Sequence, residues 1–213
     1  MKRRTLDLVF SVGGVLLAAL LVVLGMVLKT NADFAKSYVK DQLTQQQITF
    51  TPVAGLTGDA KNSACLNKYA GQLMDSGKMA ECYANDYIAL HLREGATAAG
   101  QEGKTYATLG PVVTEANKAL ADAKTAGKPT DELQKTADSL KGLRETMFKG
   151  ETLRGLLLTS YGFSEFGRKA TQAEFVAFAA ALVLLLASIA GFIHALTTPK
   201  DEIVAAVSHT ATE

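Results

Sequence analysis

Apolar and polar positions divide this 213-residue chain into three zones. Leu8 to Leu28 carries no charged residue, and Phe175 to Leu196 carries no Asp, Glu, Lys or Arg. Each run is long enough to cross a hydrocarbon core of ~30 Å as a helix of roughly 20 residues. The stretch between them is polar and Ala-rich, with apolar residues returning at helical spacing. The pattern predicts an all-α protein. Transmembrane helices at 8–28 and 175–196 flank a helical-bundle domain over 29–174, with an N-terminal segment at 1–7 and a tail at 197–213.

Within the middle zone, Phe34, Tyr38 and Leu43 carry the first helix beyond its apolar run. Gln45 to Pro52 contains Ile48, Thr49 and Thr51 and stops at proline, so it reads as extended chain. A helical hairpin is predicted over Ala64–Met74 and Lys78–Arg93, turning at Asp75-Ser76-Gly77. Gly95 to Gly103 reads as a mobile connection. Pro111 is placed at the first position of a helix that runs to Ala126, with Gly127 just past its end. Thr130 caps the helix after it. Val113, Ala116, Leu120 and Ala123 form a seam on the first of these two helices; Leu133, Ala137, Leu140 and Met147 form the matching seam.

Lys2-Arg3-Arg4 directly precedes the first run, and such a basic cluster stays on the cytoplasmic side. With two spans, both termini are expected in the cytoplasm and residues 29–174 outside it. The rival reading is a cleaved signal peptide. Its apolar region would be about 7–15 residues, shorter than this run, and no clean small-x-small site follows.

Small residues mark where the spans would be packed. Ala187, Gly191 and Ala195 recur every four residues, and Gly14 and Ala18 form a shorter stripe. Packing of the two spans on each other explains both; docking onto another membrane protein is the alternative. The segment Thr152 to Lys169 is the most apolar outside the runs. Leu153, Leu156, Leu157, Tyr161, Phe163 and Phe166 make it a candidate partner surface.

Cys65 and Cys82 both fall in the middle zone, and an even count in an oxidising compartment predicts a disulfide, with free thiols as the alternative. In a regular hairpin turning at Asp75–Gly77 the two would be offset by about 7.5 Å along the helices, too far to bridge. The bond therefore requires Cys65 to lie in non-helical chain folded back onto the second helix.

Net charge is +1 with basic residues scattered, so nucleic acid is not an expected partner. The chain has three histidines. His91 falls outside the cytoplasm, whereas His194, at the inner end of the second run, and His209 fall inside. No single chain could combine them into a two-histidine iron site or a histidine zinc site. His91 reads as a helix-surface histidine and His194 as a headgroup-level anchor. Asp75, Glu81, Asp86 and Glu94 read as a solvated helix face. Phosphate-loop, dinucleotide, nucleophile-elbow and zincin signatures are absent from the sequence. No cofactor is expected.

Several stretches carry a family resemblance: Gln47-Ile48-Thr49-Phe50, Tyr69-Ala70-Gly71-Gln72 with Asp75 and Gly77, and Tyr87-Ile88-Ala89-Leu90-His91-Leu92. So do Thr105-Tyr106-Ala107, Glu151-Thr152-Leu153-Arg154-Gly155-Leu156-Leu157-Leu158 and Gly191-Phe192-Ile193-His194. Together they resemble an uncharacterised family of actinobacterial two-span membrane proteins. Members often carry the label of aromatic-ring-opening dioxygenase, which the histidine topology of this chain does not support. The resemblance implies an actinobacterial cell envelope.

The expectation is a non-enzymatic protein of the cell membrane. It would be an accessory or scaffolding subunit whose extracytoplasmic domain engages another membrane or envelope protein, a second copy of itself included. The alternative is an extracytoplasmic ligand-sensing module. The tail is too short for a transmitter domain, so such a module would signal through a separate partner.

Overall fold

The structure is a computed structural model describing residues 2–199, and it is all-helical. His209 and positions 200–213 of the expected tail lie outside the described residues. Helix α1 spans Arg3–Gln45, α2 Ala64–Tyr69, α3 Gly77–Cys82, α4 Ala89–Ala98, α5 Tyr106–Thr125 and α6 Asp131–Thr197. A π-helical turn, Tyr83–Ile88, joins α3 to α4. Helices α1 and α6 each contain a stretch long and apolar enough to cross a membrane. The chain divides into two compact units: Met1–Phe34 with Phe166–Glu213, and Ala35–Glu165.

The first unit pairs the apolar parts of α1 and α6. Its large side chains face outward: Phe10, Leu16, Leu20, Phe175, Val183 and Leu196 are all exposed. Its interior is made of small residues. Ser11 and Ser188 are only 3% and 4% exposed, and Ala18, Ala177, Ala181 and Ala195 are buried beside them. On α6 the inward positions Ala177, Ala181, Leu184, Ser188, Gly191 and Ala195 alternate steps of four and three. That 3.5-residue period keeps one face of each helix on the other, as in a left-handed coiled coil.

The second unit is built around large side chains. Phe50, Leu66 and Met74 are fully buried, with Val39 and Leu43 of α1 and Leu157 of α6 in the same cluster. A smaller cluster joins Ala96 of α4, Leu109 of α5 and Met147 of α6. The extended reading of residues after α1 holds. Thr49 forms an antiparallel bridge with Leu73, and beside it the Phe50 amide donates to the Gln72 carbonyl and the Met74 amide to that of Ile48.

That bridge corrects the first half of the hairpin. Helix α2 stops at Tyr69, not at Met74, because Gly71 to Met74 pairs with the chain after α1. Cys65 is helical, contrary to expectation, and still meets Cys82 in a disulfide with a Cα–Cα separation of 6.0 Å. The early stop of α2 removes the register that would have held the two apart. Closing a loop of 17 residues, the bond contributes about 3 kcal/mol against the unfolded chain in the chain-entropy account.

Three further boundaries differ from the pattern. Helix α4 runs on through Gly95 to Ala98, and the connection to α5 is tied down at its start. Gln101 donates to the Ala96 carbonyl and Gly100, at a φ of 67°, to that of Thr97, a Schellman motif. Helix α5 begins at Tyr106, with Pro111 inside its second turn. Thr105 caps it instead: the Thr105 amide donates to Thr108 Oγ1 at 2.8 Å, and Leu109 is driven into the core. Helix α6 is continuous through Gly142, Gly155 and Gly162, each facing open space. A glycine in a helix costs about 1 kcal/mol relative to alanine, which packing of the buried face offsets.

Candidate functional site

An open apolar groove of about 420 Å³ lies between the Tyr38–Ile48 stretch and the part of α6 from Leu153 to Phe163. Its floor is Val39, Leu43 and Leu157, all backed by the main core. Its walls carry Leu156, 62% exposed, with Leu153, Phe163 and Tyr38. The ring of Tyr38 meets that of Phe163 edge-on at 6.0 Å. The rim is polar but uncharged: Gln42, Gln46, Thr159 and Ser160. No lining residue carries a charge, so the groove offers an apolar, uncharged surface.

The candidate surface on α6 therefore divides. Leu153, Leu156 and Phe163 line the groove. Leu157 is core, 3% exposed. Tyr161 faces α3, where its hydroxyl accepts from Lys78 Nζ at 3.1 Å and its ring lies 4.5 Å beneath the ammonium. That hydroxyl, followed by Glu81 at 3.1 Å, holds the Lys78 ammonium above the usual lysine range. Phe166 is exposed and belongs to the other unit. A hundred-degree step per residue spreads these side chains over roughly 220° of α6, so no single face could hold them all. The α1 wall of the groove was missed. Its signal is the spacing of Tyr38, Val39, Gln42 and Leu43, a second helical face at the same level of the bundle.

In the first unit, Gly14 faces Ser188 and Gly191 faces Ser11, so that a Cβ on either glycine would collide with the opposing hydroxyl. The two small-residue stripes thus meet each other. Ala195 and Ala18 lie in this seam, but Ala187 is exposed and Ser188 takes its place. A repeat of four residues overshoots a full turn by about 40°, which carries Ala187 off the contact line. His194, expected as a headgroup-level anchor, has a protein partner. Its Nδ1 donates to Asp7 Oδ2 at 2.9 Å, joining the start of α1 to the end of α6.

His91 is exposed, with Nδ1 2.8 Å from the Tyr87 carbonyl and its ring 4.3 Å from that of Tyr87. Tyr87 in turn stacks on Tyr83 at 4.6 Å, and burial pushes the Tyr83 phenol above its ordinary range. Asp86 accepts from Ser63 Oγ at 2.6 Å, which fixes the cap of α2. Among the described residues no three His, Cys, Asp or Glu side chains converge as a metal site.

No protein-family model matches the chain, and no curated protein or solved structure shows significant similarity to it.

Proposed function

We propose that this is a two-pass protein of the cell membrane with both termini cytoplasmic and residues 29–174 outside. In this reading it is a non-enzymatic accessory or scaffolding subunit, and its helical domain binds an apolar helix of another membrane protein. The apolar groove carries the reading. Leu153, Leu156 and Phe163 stand exposed along one groove, and that groove is free of charge. A helix presenting apolar residues three and four apart would fill such a groove. The membrane placement is supported by two long apolar helices whose bulky side chains face outward.

The test is a photo-crosslinking residue placed at Leu156 of the full chain in its native membrane, with Lys118 as control. The expected product is a single heavier species from position 156, absent from 118 and lost when Phe163→Asp is added. Peptide mapping should place the crosslink in an apolar helix of a second membrane protein. A crosslink to another copy of this chain would replace that partner with a homo-oligomer. No product at Leu156 or Leu153 would overturn the groove as the binding surface.

A further inference from the structure

A second cavity, about 670 Å³, opens among α4, the connection before α5, and α6. It shares no lining residue with the groove, so its ligand is independent of the proposed partner. Its lining includes three cations, Arg93, Lys104 and Arg154, and four apolar side chains, Leu92, Ala96, Met147 and Leu158. Pockets of this size with an apolar wall and a few placed polar groups are the usual form of a small-molecule site.

Several lysines of this unit sit in ion pairs, and the cations of this cavity do not. Lys118 pairs with Asp122 at 3.1 Å, Lys135 with Glu132 at 3.2 Å and Lys149 with Glu145 at 2.8 Å. Among the described residues Arg93, Lys104 and Arg154 have no carboxylate within ion-pair distance. The only carboxylate lining the cavity, Glu151, spends Oε1 on the Tyr106 amide at 2.9 Å. That bond sits at the N-terminus of α5, where the helix dipole favours negative charge. Arg154 donates Nη2 to the neutral amide oxygen of Asn85 at 3.1 Å, and its Nε is buried without an acceptor. Arg154 therefore carries a positive charge with no anionic partner, which an anion in the cavity would offset.

We propose that this cavity binds an amphiphilic anion. A phosphate head is held by Arg93, Lys104 and Arg154, and its apolar body lies against Leu92, Ala96, Met147 and Leu158. The planar fork of Arg154 suits two phosphate oxygens at once, while Lys104 and Arg93 add charge at the mouth.

Hexyl phosphate is the probe, titrated calorimetrically into the full-length protein in nanodiscs of neutral lipid. Binding is expected to weaken roughly tenfold for each cation removed, in Arg93→Gln and Lys104→Gln. Both side chains are exposed, so these variants leave the core intact. Arg154→Gln should weaken binding too, with near-ultraviolet circular dichroism checking that the domain stays folded. Hexanol and inorganic phosphate should each bind at least tenfold more weakly than the ester, by the additivity of the two halves. Competition by phosphatidic acid in the disc would assign the head to a lipid, and its absence to a soluble ester; either supports the site. No binding of hexyl phosphate, or unchanged affinity in the Arg93→Gln, Lys104→Gln double variant, would overturn it. Inorganic phosphate binding as tightly as the ester would remove the apolar half.

Discussion

The two units are packed inside out with respect to each other. In Ala35–Glu165 the buried core is made of large side chains, Phe50, Leu66 and Met74 among them. In the helix pair, Phe10, Leu16 and Leu20 are exposed, and the buried line holds serine, alanine and glycine. Water drives apolar area inward at roughly 25 cal/mol per Å², so the first arrangement is the expected one in water. In hydrocarbon that drive vanishes between helices, and close backbone approach through small residues takes over. One chain thus carries two opposite packing rules, each suited to a different solvent. The disulfide belongs to the water-ruled unit, the Asp7–His194 contact to the other.

Opposite changes should break the two halves. Phe50→Ala removes a ring that touches Tyr69 at 5.6 Å and Tyr83 at 5.3 Å, and should cost about 3–5 kcal/mol. All six tyrosines lie between Tyr38 and Tyr161, so near-ultraviolet circular dichroism reads this unit alone. A denaturation midpoint unchanged from the parent would show that the Phe50 cluster does not hold it. Leu20→Asp asks which solvent surrounds the helix pair, since Leu20 is 63% exposed. In water the change should be close to neutral; in hydrocarbon it should cost about 2.5–3.5 kcal/mol of insertion free energy. A glycosylation-based insertion assay distinguishes the two, and unimpaired insertion would remove the lipid-facing reading. Gly191→Leu enlarges a small residue where Phe50→Ala shrinks a large one. It should cost about 1–3 kcal/mol by forcing the helices apart at Ser11. Loss of a disulfide engineered between Ser11 and Gly191 neighbours would register that separation, while the tyrosine signal stays put.

Much of the seam in the α5–α6 pair was legible because one periodicity suffices there. Leu120, Ala123, Ala137, Leu140 and Met147 are all buried where helical spacing placed them. Gly127 closes α5 with the expected hydrogen bonds, Lys128 to Ala123 and Gly127 to Lys124. The end of α2 was illegible, because Gly71 to Met74 leaves the helix to pair with residues distant in sequence. Pro111 misled for a related reason: a capping box at Thr105 and the burial of Leu109 outweigh the preference of proline for a first turn. Of the candidate partner surface, Leu153, Leu156 and Phe163 survive in the groove, while Leu157 and Tyr161 are taken by the core and by Lys78. Composition marks a segment as apolar, but the turn of the helix decides which side chains remain uncovered.

Local physics is strong enough for the sequence alone to establish the all-helical class, the two long apolar helices, the α5–α6 pair with its glycine stop at Gly127, and the small residues along the apolar helices. Those features depend on residue type, spacing and run length. Only the tertiary structure placed a helical Cys65 within reach of Cys82, set Ser188 in place of Ala187, and brought α1 beside α6 to form the groove. It also gathered Arg93, Lys104 and Arg154 around one cavity whose single carboxylate, Glu151, is bonded to the Tyr106 amide. These are contacts between residues far apart in the chain. Their register is fixed by what packs against what, and that is written in no single stretch of sequence.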